Sequence, residues 1–296
     1  MNIGGRVVVG SVSDKTDAGV LEREYNPRIQ VPEYASYFAR WKDSALEVRR
    51  GAEAHLNLRY GLLPSERLDF FPAVGSGNPL LIFVHGGYWR TLDKNDFSWV
   101  APPYVAAGIS VAVVNYGSLP GTPLLLIVEQ VRRACAWLHH NARALSIDPG
   151  RIVCSGHSTG GHLTAMMLAT DWPGVWPEFP QRLLSGAVTV SGLFDLEPLT
   201  RAEFIRNDLR LEPALARALS PALLPWRNDV PLVRAVGAEE SAELHRQSTL
   251  LGAHWPLACE RELIEVPGCN HLSVCDAFAD PRSQLFQATR ELLLPA

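Results

Sequence analysis

Short apolar runs, each closed by glycine, proline or a polar turn, alternate along the chain with longer segments whose apolar positions return every three or four residues. The run at 80–84, LLIFV, has no polar position on either face, as a central strand covered by helices on both sides requires. Residues 109–114, 152–154, 187–190, 232–236 and 262–266 read as further strands. Helical spacing falls between them: at 96–107, where Pro102 and Pro103 interrupt it, at 124–144, 162–169, 242–251 and 283–293. Such alternation predicts an α/β class, with a mostly parallel sheet, right-handed crossovers and helices on both faces.

Ahead of that pattern, two strands are expected at 55–60 and 67–71, with Gly61 and Pro64 in the turn between them. Earlier still, Tyr34, Tyr37, Phe38, Trp41 and Leu46 form an apolar stripe on a helix predicted within 31–50, a stripe that suits core packing. Residues 197–224 read as helices without a partner strand, an insertion able to serve as a lid over the carboxyl edge of the sheet. The expected organisation is one domain over 18–296, with lid elements from 18–50 and 197–228, after a Gly/Ser/Val-rich leader at 1–17, strand-like or mobile, with no assigned role.

Composition narrows the function. The 296 residues are 47% hydrophobic, enough for a large core, and carry a net charge of −4 with no basic face to suggest nucleic acid or an anionic membrane. No apolar run approaches the ~18 residues of a spanning helix, and the start of the chain lacks the features of a signal peptide. A cytoplasmic protein acting on a small molecule is expected. The five cysteines, Cys135, Cys154, Cys259, Cys269 and Cys275, are odd in number and irregularly spaced, so free thiols are expected rather than a disulfide framework.

The chemistry centres on RIVCSGHSTGGH, from Arg151 to His162. An apolar strand breaks into Gly156-His157-Ser158-Thr159-Gly160 and continues as a helix, the setting in which G-x-S-x-G has a mechanism. The turn is sharp enough to need small flanking residues, and it presents Ser158 beside the first amides of a helix. A serine hydroxyl needs a base, and the base needs an orienting acid. His271, just past Pro267-Gly268 at the end of the last strand, fits as base, whereas His245 and His254 fall in or after a helix. Glu240, three residues past Gly237, is the chosen acid, with Glu239 and then Asp195 as alternatives. Gly86 and Gly87, following the strand at 80–84, and the amide of Thr159 are the candidate oxyanion donors. His157 and His162 stand five residues apart, off one helical face, and no HExxH occurs, so no metal site is assigned and the chemistry calls for no cofactor.

With those residues in place, the chain resembles the α/β-hydrolase superfamily, and within it the arylformamidase (kynurenine formamidase) and hormone-sensitive-lipase-like esterase branch. The resemblance lies in HGGYWR (His85 to Arg90), NYGSLP (Asn115 to Pro120), DPGRIVCSGHSTGGHL (Asp148 to Leu163), SGLFDLEPL (Ser191 to Leu199), GAEESAELHRQS (Gly237 to Ser248) and GCNHLSV (Gly268 to Val274), with LEREYNPR at Leu21 to Arg28. It implies the α/β-hydrolase fold, Ser158, Glu240 and His271 as the triad, and Gly86, Gly87 and Thr159 at the oxyanion hole. Two positions depart from the branch, which usually carries Asp where Glu240 stands and Ala where Thr159 stands; the first puts kynurenine specificity in doubt. Tyr88, Trp89, Tyr116 and His157 are expected to line the substrate pocket, Tyr88 and Trp89 crowding the acyl side in favour of formyl or acetyl groups. The expected function is a carboxylesterase acting on small-acyl esters, with an arylformamidase as the alternative and a non-catalytic small-molecule binder as the second. A homodimer is compatible with the sequence.

Overall fold

The computed structural model describes residues 18–255 and 262–294; the leader at 1–17 and Cys259 lie outside the described residues. Among the described residues, eight strands form one sheet: β1 His55–Arg59, β2 Arg67–Phe71, β3 Asn78–Val84, β4 Ser110–Val114, β5 Ile147–His157, β6 Gly186–Val190, β7 Leu232–Gly237 and β8 Ile264–Val266. Their order is β1-β2-β4-β3-β5-β6-β7-β8. β2 runs antiparallel to β1 and β4, and every other pairing is parallel. The outer strand β1 is polar and largely exposed, and its register with β2 is irregular around Asn57, whose φ is +59°.

In the described residues twelve α-helices accompany the sheet: α1 Ala18–Tyr25, α2 Pro27–Gln30, α3 Tyr34–Gly51, α4 Ala101–Ala106, α5 Leu124–His140, α6 Thr159–Leu168, α7 Trp172–Val175, α8 Glu203–Leu209, α9 Pro213–Ala218, α10 Ala242–His254, α11 Ser273–Phe278 and α12 Gln284–Leu293. Two differ instructively from the sequence pattern. The helix expected at 96–107 is two 3₁₀ turns, Lys94–Asp96 and Ser98–Val100, leading into α4. Pro102 and Pro103 fall in the first turn of α4, where a missing N–H has no partner to lose, so they open this helix rather than interrupt it. α6 begins at Thr159 rather than 162, because the strand hands directly to the helix through one residue, Ser158.

Alternation along β3 shows how a wholly apolar strand serves two cores. Leu80, Ile82 and Val84 enter a cluster with side chains of α5 and α6, while Leu81 and Phe83 enter one with Trp41 of α3, Tyr104 of α4, Phe278 of α11 and Phe286 of α12. Aromatic rings knit the second layer: Phe83 lies 5.7 Å from Phe97 and 5.6 Å from Phe278 between centroids, and Trp41 lies 5.5 Å from Phe97. The N-terminal segment joins both layers, since Leu21 and Tyr25 of α1 belong to the first cluster and Val31 and Trp41 to the second.

A buried ionic knot fixes α3 to the sheet. The Asp69 carboxylate on β2 accepts from Lys94 Nζ at 2.8 Å, from the Asn57 amide at 2.8 Å and from the Arg49 guanidinium of α3. Among the described residues, no helix is long and apolar enough to cross a membrane.

Candidate active site

β5 ends at His157, and Ser158 takes φ +57° and ψ −121°, a left-handed conformation that costs energy in a serine. The flanking glycines are required by contact. A Cβ on Gly156 would stand 2.2 Å from the Gly160 carbonyl oxygen, and one on Gly160 would stand 1.9 Å from that of Val84. The Ser158 amide donates to Val190 O at 2.8 Å, tying the turn to β6.

His271 follows β8 in a loop shaped by Asn270, whose side-chain oxygen accepts from the amides of Leu272 and Ser273, both at 2.9 Å. Its Nε2 lies 3.0 Å from Ser158 Oγ and its Nδ1 2.6 Å from Glu240 Oε2. The side chain of Glu240 is fully buried. Its other oxygen, Oε1, accepts from the Gly237 amide at 2.6 Å and from the Ser191 hydroxyl. Burial alone would raise the Glu240 pKa, but the charge and hydrogen bond of His271, with the bonds from Ser191 and Gly237, outweigh it and hold the carboxyl below its ordinary value.

The alternative acids face elsewhere. Glu239 is exposed, and the Asp195 carboxylate accepts from the Glu197 amide at 3.1 Å in a turn of its own. Ser158, Glu240 and His271 therefore converge as the order of the sequence implied.

The His85-Gly86-Gly87 loop packs directly against the Ser158 turn: a Cβ on Gly86 would lie 2.9 Å from His157 O and 3.1 Å from Ser158 Cβ. Gly87 adopts φ +108°, where a side chain would also strike Thr91 O at 2.1 Å. Behind the loop, the His85 ring is stacked between Tyr116 at 4.4 Å and Phe97 at 5.6 Å, and Tyr116 donates its hydroxyl to His85 O at 2.7 Å. Thr159 is the first residue of α6, so its amide has no intrahelical acceptor and stands next to Ser158.

The four residues expected to line the pocket separate. Tyr88 lines a narrow cleft with a cavity volume of about 40 Å³, bounded by Gly87, Arg90, Phe204 and Leu272 and, from the N-terminal segment, by Asn26, Arg28, Tyr34 and Phe38. Its ring meets Phe204 edge-on at 4.9 Å, and its hydroxyl donates to the Tyr25 carbonyl. Trp89 and Tyr116 instead line a separate hollow behind the glycine loop, together with His85, Asp93 and Asn115. The reason is backbone direction: Tyr88 and Trp89 have φ of +53° and +55°, and this left-handed pair turns Trp89 inward, edge-on to His162 at 5.1 Å.

His157 lines neither space. Its Nε2 lies 2.7 Å from His271 O and its ring 4.9 Å from the His271 ring. Burial first, and the neighbouring His271 second, bring its pKa down to about 3, so it stays neutral beside His271 and can donate to that carbonyl. This contact and the Ser191 bond to Glu240 are not read from the sequence; Ser191-Gly192 directly after an apolar strand is the available signal for the second.

A family model described as BD-FAE matches residues 68–173. A kynurenine formamidase of Salmo salar is 30% identical over 288 residues, spanning 92% of this chain and 95% of that one. A carboxylic ester hydrolase of Mycobacterium tuberculosis is 30% identical over 193 residues, 54% of this chain and 51% of that protein. Among solved structures, a Silicibacter sp. TM1040 protein provisionally assigned as a thioesterase superposes with a TM-score of 0.80 at 32% identity, covering 90% of this chain and 98% of its own. Similarity to a kynurenine formamidase over nearly the whole of both chains, joined to this strand order, places the chain in the kynurenine formamidase-like, esterase-related branch of the α/β-hydrolases.

Proposed function

We propose that this hydrolase-family protein is a serine hydrolase that cleaves small-acyl esters through an acyl-enzyme. The reading rests on the hydrogen-bonded chain from Ser158 Oγ to His271 Nε2 and from His271 Nδ1 to Glu240. With Nδ1–H donated to the ionised Glu240, the Nε2 lone pair faces the serine hydroxyl and takes its proton as Oγ attacks the carbonyl. The oxyanion settles on amides of the Gly86-Gly87 loop and Thr159. Imidazolium His271 then protonates the leaving alcohol, and water, activated by the same nitrogen, releases the acid and restores Ser158. Neutral His157 adds no positive charge against that imidazolium.

The small-acyl reading is supported by crowding around the site. Ser158 is 4% exposed, and the cleft lined by Gly87 of the glycine loop and by Leu272, next in sequence to His271, would hold only a few water molecules. Phenyl acetate should therefore outperform long-chain esters, and a p-nitrophenyl series in which octanoate exceeds acetate in kcat/KM contradicts the small-acyl assignment. The second reading, hydrolysis of N-formyl arylamines such as N-formylkynurenine, is favoured by the near full-length similarity to a kynurenine formamidase. Direct comparison of kcat/KM for phenyl acetate and N-formylkynurenine decides between them. A fluorophosphonate should label Ser158 and leave Ser158→Ala unlabelled; an unlabelled native protein under conditions that label a control esterase overturns the serine mechanism and leaves the binding-protein reading.

A further inference from the structure

The oxygen of Glu240 that faces away from His271 is held as firmly as the one that faces it. Oε1 takes the Gly237 amide at 2.6 Å and the Ser191 hydroxyl, while Oε2 takes His271 Nδ1 at 2.6 Å. A glutamate has three side-chain torsions to fix, so a carboxylate meant to present one oxygen to an imidazole needs its other oxygen anchored. We propose that Ser191 is a positioning residue of this site, holding the Glu240 carboxylate so that Oε2 is presented to His271. This rests on the reading of Glu240 as the triad acid.

The backbone at Ser191 supports the assignment independently. Ser191 is fully buried at the end of β6 with φ +52°, a left-handed conformation that glycine would adopt without strain. Its amide donates to Ala235 O on β7 at 2.8 Å, and the next residue must be glycine, since a Cβ on Gly192 would stand 2.3 Å from the Phe194 ring. The chain thus turns sharply at the rim and retains a side chain at a strained position. What that side chain does there is donate to Glu240. Strain of this kind persists where a group must be aimed.

Two variants separate the hydroxyl from the fold. Ser191→Ala keeps the left-handed backbone and removes the donor; Ser191→Gly removes the donor and relieves the backbone. Both should lower kcat on phenyl acetate by about tenfold to a hundredfold, the range for one hydrogen bond to a charged group. KM should stay within about twofold, and Ser191→Gly should melt no lower than Ser191→Ala. In a Glu240→Gln background the further loss from Ser191→Gly should shrink to less than about threefold, because the two residues act through one contact. A Ser191→Gly protein with native kcat, a loss confined to KM, or an equal loss in both backgrounds overturns the role of Ser191. If Glu240→Gln alone keeps native kcat, it is the acid assignment that fails; if Glu240→Gln is impaired and both Ser191 variants are not, the acid assignment stands and the positioning role falls.

Discussion

Replacing Glu240 with glutamine keeps the shape of the side chain and removes its charge, and the surrounding donors determine the result. The Gly237 amide is a fixed donor 2.6 Å from Oε1, so the new amide oxygen is drawn to that side and its NH₂ turns toward His271 Nδ1. Nδ1 must then accept, the ring proton moves to Nε2, and the nitrogen facing Ser158 can no longer take a proton. The opposite orientation of the amide sets NH₂ against the Gly237 N–H, a buried clash of donors costing about 1–3 kcal/mol. Either way the imidazolium loses a charge-assisted hydrogen bond worth about 1.5–3 kcal/mol. Together these amount to about 4 kcal/mol, or roughly a thousandfold in kcat. Steady-state hydrolysis of phenyl acetate measures it, with thermal melting as a control for folding. Ser158→Ala and His271→Ala should lose more. A loss under about tenfold for Glu240→Gln, or a larger loss from Asp195→Asn, refutes the reasoning.

Gly86→Ala should lower kcat by about ten- to a hundredfold, since its methyl must displace His157 O or Ser158 Cβ; native kcat would place the oxyanion donors elsewhere. Asp69→Asn leaves buried Lys94 and the Arg49 guanidinium without their anion and should cost about 3–5 kcal/mol in urea unfolding, while the protein that remains folded keeps its kcat. His157 and His162, whose pKa values burial lowers to about 3 and about 4, bind protons in the unfolded chain near pH 6.5 but not in the native one. Stability should therefore fall as pH drops below about 6.5, by about 1.4 kcal/mol for each histidine between pH 7.5 and 5.5, and a flat urea midpoint across that window contradicts their burial as neutral groups.

Much of this arrangement is legible in the chain because its signals are local. The 80–84 run is apolar at every position because both faces of β3 are covered, and G-x-S-x-G keeps its glycines because no Cβ fits beside Gly160 O or Val84 O. Glu240 is reached by counting from the end of β7, yet it stands apart from Glu239 and Asp195 through the Gly237 amide and the Ser191 hydroxyl, a meeting of two strand ends that no linear pattern records. Trp89, Tyr116 and His157 sit within motifs of the site, but their side-chain directions follow from left-handed backbone and ring stacking that the motif does not encode. α1 and α2, of eight and four residues, are too short for a periodic stripe to emerge.

The N-terminal segment behaves as a buckle across the rim. Tyr25 at one end is locked by Glu243 at 2.7 Å and Gln247 at 3.0 Å, Trp41 at the other end donates to Asp276 at 2.7 Å, and the span between them forms a wall of the cleft. The two anchors lie in opposite layers of the molecule, so the width of that cleft is set by packing well below it. A side-chain change in either layer that resettles α1 or α3 would reshape that wall while leaving Ser158, Glu240 and His271 where they are.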